Sequence, residues 1–239
     1  MQYNKLGVLG GMGPKATSVF FDKVIDCTDA HKDQEHIDMV ILNHATLPDR
    51  TKAILENKGH IFLSAIEKDI KLLETAGVAN IAIPCNTSHY FYDEMQKMTD
   101  INIINMVEET VKEIAKHYGE GSKVGIMATN GTISTGIYEK TCHKYNMTAY
   151  LPAEAMQSNI MNIIYHDIKG DSGENAALKV ETIIQELVNK EKCDCIILAC
   201  TELSVVALRE EVSRYCVDAM RVLVNKSIEL SEKSKITQK

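Results

Sequence analysis

Ile83-Pro-Cys-Asn-Thr87 closes a short apolar run with a cysteine and then polar residues able to open a helix, and Leu198-Ala-Cys-Thr-Glu202 repeats that arrangement 115 residues later. Upstream of each lies a second matching pair. Lys5-Leu-Gly-Val-Leu-Gly-Gly-Met-Gly13 aligns, at an offset of 118, with Lys123-Val-Gly-Ile-Met-Ala-Thr-Asn-Gly131. One such match is within chance, because strand-to-turn junctions share composition. Two in the same order, at nearly the same offset, point to a duplicated α/β lobe.

The stretches around these motifs fit that reading. Val- and Ile-rich runs at 5–10, 38–43, 80–84, 122–128 and 193–199 read as strands, and amphipathic patterns at 14–30, 60–75, 134–145, 153–168 and 173–191 read as helices. Alternating strands and helices require crossover connections, hence mostly parallel sheets flanked by helices. The expected fold class is therefore α/β. Each lobe sets a glycine-rich loop and a cysteine at the carboxyl ends of its strands, where open α/β sheets bind ligands. The tail Ser231–Lys239 is expected to fray.

Composition bounds the function. The chain has 239 residues and a formal charge of -7, with 45% hydrophobic and 25% charged residues. An acidic balance argues against a phosphate-backbone binder, so no nucleic-acid partner is expected. No apolar run approaches the roughly 20 residues of a membrane span. The amino terminus shows no signal-peptide pattern, and a cytoplasmic protein is expected. The eight histidines form no metal-binding pair of the H-E-x-x-H kind, and Cys193-Asp-Cys195 alone is a weak metal signal. No metal is expected. Gly10-Gly-Met-Gly13 lacks the full G-x-G-x-x-G spacing of a dinucleotide loop.

Seven cysteines, an odd number at irregular spacing, do not make a disulfide framework. Cys27, Cys142, Cys193, Cys195 and Cys216 read as buried packing residues. Cys85 and Cys200 differ by position. Each follows a strand end, near unpaired backbone N–H groups that favour an anion. Two such thiols suit the removal of a proton from one face of a carbon and its return to the other, one thiolate and one thiol exchanging roles. The carbanion formed in between needs amides and hydroxyls, for which Met12, Gly13, Asn86, Thr87, Thr129, Asn130, Thr132 and Thr201 are candidates.

These motifs identify a resemblance. Leu9-Gly-Gly-Met-Gly-Pro-Lys-Ala-Thr17, Asp33-Gln-Glu-His36, Pro48-Asp-Arg-Thr51, Pro84-Cys-Asn-Thr-Ser-His89, Asn130-Gly-Thr-Ile133 and Cys200-Thr-Glu202 are similar, in order, to blocks of the aspartate/glutamate racemase family, in its aspartate racemase branch. The resemblance implies two pseudo-symmetric lobes with the active site in the cleft between them, Cys85 and Cys200 as the acid/base pair, no cofactor, and a homodimer. It implies an N-terminal lobe of residues 1–105 plus 213–239 and a C-terminal lobe of 106–212. Glutamate racemases instead begin with an Asp-Ser-Gly type turn and follow the second cysteine with Thr-His, where this chain has Gly10-Gly-Met-Gly13 and Cys200-Thr-Glu202. The chain also departs from its own branch. Ala199 stands where glycine usually precedes the second cysteine, and Tyr215–Ala219 lacks the usual proline.

Arginine usage gives a separate clue. Arg50 is the only arginine before Arg209. Arginine binds a carboxylate through two parallel hydrogen bonds, so Arg50 is expected either on a dicarboxylate substrate or in a surface ion pair with Glu56 or a neighbour. The resemblance adds Lys169 as a second carboxylate ligand and places Glu202 in the same substrate set. His89, four residues past Cys85, either orients the site or packs. The expected activity is a pyridoxal-phosphate-independent aspartate racemase. The alternatives are racemisation of another amino acid such as glutamate, a related isomerase, or a ligand-binding protein without catalysis.

Overall fold

The computed structural model describes residues 4–170, 175–233 and 235–236. Positions 173–174 of the helix expected over 173–191, and part of the tail expected to fray, lie outside the described residues. The chain divides into two compact units, Met1–Met106 with Met220–Lys239, and Val107–Ala219.

The first unit runs β1 (Leu6–Gly10), α1 (Pro14–Cys27), β2 (Met39–Asn43), α2 (Arg50–Leu55), α3 (Gly59–Thr75), β3 (Asn80–Ala82), α4 (Tyr92–Gln96) and β4 (Asn102–Ile103). Its strands form a parallel sheet in the order β2-β1-β3-β4. The sequence dictates the layering. Phe62, Ile66, Ile70 and Leu73 recur along α3 at helical spacing and bury against Leu9, Ile81, Ile83 and Met95. Each such buried side chain contributes about 1.5–3 kcal/mol.

The second unit runs α5 (Met106–Tyr118), β5 (Lys123–Met127), α6 (Asn130–Thr135), α7 (Ile137–Lys144), β6 (Thr148–Tyr150), α8 (Glu154–Asn162), a π-helical stretch Ile163–Ile168, α9 (Ala176–Asn189), β7 (Cys195–Leu198), α10 (Glu210–Ser213) and β8 (Cys216–Asp218). Its sheet is also parallel, in the order β6-β5-β7-β8. Val180, Ile183, Ile184 and Leu187 of α9 fill the place that the α3 residues fill in the first unit. Finally α11 (Ala219–Leu230) leads to the chain end, where the Leu230 carbonyl accepts from Asn4 and Asn80 of the first unit and Thr28 bridges to Lys235.

The repeat extends to register. Leu6 pairs with Asn80, and Val124 with Cys195. These are the same positions after the two sequence offsets. The central strands of both units, β1–β3 and β5–β7, are thus copies of one ladder.

Two expectations are refined by the structure. The pattern at 134–145 holds two helices, separated by Gly136 at a φ of 63. The pattern at 153–168 begins as α8 and widens into the π-helical stretch, which ends at Lys169. Tyr215–Ala219, where the usual proline is missing, contributes β8, whose backbone pairs with β7. A proline within it would lack an N–H for such pairing.

Candidate active site

In the first unit β1 and β3 are neighbours, so the loop after β1 and the turn after β3 emerge side by side at the carboxyl end of the sheet. The loop Gly11-Met12-Gly13 is tied down by Thr17, whose Oγ1 accepts from the Gly11 N–H at 2.9 Å and donates to the Gly13 carbonyl at 3.1 Å. Gly11 has a φ of +92, and a Cβ there would run into the His44 backbone. Glycine alone fits. Gly13 then caps α1, with Pro14 in its first turn, so the loop delivers Met12 and Gly13 to the free N–H end of a helix.

Cys85 sits in a turn closed by its own carbonyl. That oxygen accepts from Ser88 Oγ at 2.7 Å and from His89 Nδ1 at 2.8 Å, while His89 Nε2 accepts from the Met106 N–H at 3.1 Å. The second bond assigns the ring proton to Nδ1. Burial holds His89 below its ordinary pKa, only partly offset by the carbonyls of Cys85 and Ile104. The ring is therefore a neutral clamp. Asn86 and Thr87 follow in a buried 3-10 turn directly after the cysteine.

Arg50 opens α2 behind Asp49, whose side chain accepts from the Lys52 N–H. Its Nη1 donates to the Pro48 carbonyl at 3.0 Å, and its buried Nε has no hydrogen-bond partner. Glu56, the alternative partner weighed from sequence, pairs instead with Lys58 at 2.6 Å and Lys52 at 3.8 Å. Among the described residues no carboxylate pairs with Arg50.

In the second unit the corresponding loop begins at Thr129, the N-cap of α6, whose Oγ1 accepts from the Thr132 N–H. Asn130 and the Ala128 carbonyl are both held by Gln157 Nε2, at 2.9 Å each. Cys200 is buried, and its Sγ donates to Glu202 Oε2 at 2.9 Å. Thr201 Oγ1 shares that oxygen at 3.4 Å, and Lys169 Nζ lies 3.3 Å from Glu202 Oε1. Burial pushes the Cys200 thiol well up, and Glu202 adds to the effect. Ala199 is buried and its N–H donates to the Met127 carbonyl, so the residue that carries the extra methyl continues the backbone ladder.

The structure thus groups Met12, Gly13, Asn86, Thr87 and Cys85 at one sheet end, with Arg50 following β2. It groups Thr129, Asn130, Thr132, Cys200, Thr201, Glu202 and Lys169 at the equivalent end of the other sheet. Among the remaining cysteines, burial pushes Cys142, Cys195 and Cys216 up to about 12 and Cys193 to about 11. No group of His, Cys, Asp and Glu suited to a metal ion occurs among the described residues. Thr17, Ser88 and Gln157 were not singled out from sequence. Ser88 and Thr17 had a local signal in their spacing from Cys85 and Gly13, whereas Gln157 reaches back 29 residues and had none.

Comparison with known proteins assigns the family. The Asp/Glu/Hydantoin racemase family matches residues 9–226. The broad specificity amino-acid racemase RacX of Bacillus subtilis (strain 168) is 33% identical over 207 residues, covering 84% of this chain and 86% of its own. The Picrophilus torridus aspartate racemase superposes with a TM-score of 0.84 at 31% identity, over 98% of this chain and 96% of that one. PH1733, an aspartate racemase homologue from Pyrococcus horikoshii OT3, shares the fold with a TM-score of 0.80 at 22% identity, over 96% and 99% of the two chains. With two parallel sheets of this topology and a match spanning both cysteine turns, the chain belongs to the Asp/Glu/Hydantoin racemase family and is an amino-acid racemase of that family.

Proposed function

We propose that this racemase is cofactor-independent and interconverts L- and D-aspartate by two-base proton transfer at Cα, with Cys85 and Cys200 as the acid/base pair. The observation that carries the proposal is the equivalence of the two cysteine turns, each at the carboxyl end of the same strand of a duplicated sheet. One sulfur, as thiolate, takes the α-proton. The electron pair stays on Cα, and the other sulfur, as thiol, returns a proton to the opposite face. No net proton is gained or lost. Polar side chains and N–H groups beside each turn, from Met12, Gly13, Asn86, Thr87, Thr129, Asn130, Thr132 and Thr201, stabilise the developing charge.

The guanidinium of Arg50, with no carboxylate partner among the described residues, supports a dicarboxylate substrate. Lys169 is the second carboxylate ligand in this proposal, using ammonium donors beyond the one facing Glu202. The same proposal includes a homodimer in the cytoplasm; no helix among the described residues is long and apolar enough to cross a membrane. Light scattering on the purified protein should give twice 26.6 kDa.

Incubation with L-aspartate and chiral chromatography of the products tests the activity. D-aspartate should accumulate towards an equal mixture, and unchanged L-aspartate would refute aspartate as substrate. The relative named for broad specificity favours a second reading with a wider substrate range. A panel of L-amino acids in the same assay separates the two, and bound but unchanged ligand throughout would indicate a binding protein.

A further inference from the structure

The environment of the Cys200 sulfur is unlike that of a core cysteine. Its Sγ donates to one oxygen of Glu202 at 2.9 Å, and the other oxygen faces Lys169 Nζ at 3.3 Å. Both Cys200 and Glu202 are more than nine-tenths buried. Lys169 Nζ also lies over the Tyr165 ring, 4.5 Å from its centre and one turn back along the π-helical stretch. The charged groups acting on the thiol are therefore Glu202, from its own turn, and Lys169, from the end of that stretch.

A carboxylate facing a sulfur favours S–H, because the thiol donates a bond to it and a thiolate would meet a like charge with little water to screen it. A cation acts oppositely, but the ammonium of Lys169 is engaged by the carboxylate. On the thiol the Glu202 charge outweighs it, and the Glu202 amide N–H only partly offsets burial. The ammonium itself would be lowered by burial, yet Glu202, Tyr165 and Cys200 beside it leave it above its ordinary value. Lys169 stays charged and holds the carboxylate in place.

We propose that Glu202 is a positioning residue that keeps Cys200 protonated and aimed, so that the resting enzyme carries its transferable proton on Cys200 and takes the α-proton with Cys85. The inference rests on the two-thiol mechanism proposed above. From the resting form, the Cys85 thiolate gains the α-proton and Cys200 gives its own to the opposite face. This leaves a thiolate beside a carboxylate. Reset follows when Cys85 releases a proton to water and Cys200 takes one up. One direction of racemisation thus starts from the resting form, and the other starts from the form awaiting reset. In the direction that uses Cys200 as acid, activity is retained below the Cys200 pKa and lost as pH rises through it.

Iodoacetamide labelling of Cys200, read by peptide mass spectrometry from neutral to strongly alkaline pH, tests this in wild type, Glu202→Gln and Glu202→Asp. Wild-type Cys200 should label only at alkaline pH. In Glu202→Gln the labelling rate below the midpoint should rise about tenfold, equivalent to about one pKa unit, and the alkaline limb of activity should move down with it. Glu202→Asp, which keeps the charge, should stay nearer wild type. Lys169→Met should shift labelling the opposite way, to higher pH, which gives a second readout if Glu202→Gln does not fold. An unmoved Cys200 profile in folded Glu202→Gln, or a shift of Lys169→Met in the same direction as Glu202→Gln, would overturn the assignment. If the profiles move as stated while no amino acid is racemised, the coupling stands and the two-thiol mechanism falls. If racemisation is normal and the profiles do not move, the mechanism stands and the role of Glu202 falls.

Discussion

The Cys85 turn and the Cys200 turn occupy the same place in the same ladder, and they are held in different ways. Cys85 is fixed through its main-chain carbonyl, gripped by Ser88 and by His89, which is itself pinned to the Met106 N–H. Cys200 has its carbonyl held by a main-chain donor alone, the Leu203 N–H at 2.9 Å, and its sulfur donates to Glu202. Duplication of an α/β unit therefore sets where each thiol stands. The residues two to four places beyond it set how each turn is held. A symmetric scaffold thus carries two unlike cysteine turns.

The largest effect that sharpens this contrast is loss of either sulfur. Cys85→Ser and Cys200→Ser should each lower the racemisation rate about 10²–10⁴-fold, measured by chiral chromatography. A normal rate in either variant would break the pairing of the two turns. Next in size is Arg50→Ala. Loss of hydrogen bonds to a charged group, about 1.5–3 kcal/mol, should raise KM for aspartate about 10- to 100-fold, and Arg50→Lys should recover part of it. An unchanged KM would remove Arg50 from the substrate.

Smaller effects probe how each turn is held. His89→Leu removes one of the two donors to the Cys85 carbonyl and the ring nitrogen that accepts from the Met106 N–H, which should cost about 1–3 kcal/mol of stability in urea unfolding. Acid tests the same clamp. Because the folded-state pKa of His89 is lowered, the clamp is fully present above the ordinary histidine value of about 6.5 and weakens as pH falls below it. Stability of the wild type should therefore fall faster on acidification than that of His89→Leu, and equal slopes would deny the clamp. The smallest effect belongs to the packing thiols. Cys195→Ala should cost about 1 kcal/mol and leave the rate within about twofold. A large loss of rate there would mean that catalysis uses more than the two turns.

Much of this was legible in the sequence. Offsets of 118 and 115 anticipate the paired registers of Leu6 with Asn80 and Val124 with Cys195, because a repeated motif at a strand end carries its ladder with it. The short strands β4, β6 and β8 were not read, since two or three residues show no usable alternation. The break at Gly136 was hidden because both α6 and α7 keep a helical pattern around it. At the site, residue types nominate candidate side chains but not their partners. Glu202 was read with the substrate, and the structure turns both its oxygens to Cys200 and Lys169. A contact across 33 residues of chain, from Lys169 to Glu202, depends on where the π-helical stretch ends, and no local pattern encodes that.

Racemisation in heavy water tests the two-base mechanism most directly. Starting from either enantiomer of aspartate, early samples should carry deuterium at Cα in the enantiomer formed and almost none in the enantiomer remaining. Equal labelling of both from the start would mean that a single group serves both faces, and the pairing of Cys85 with Cys200 would be wrong.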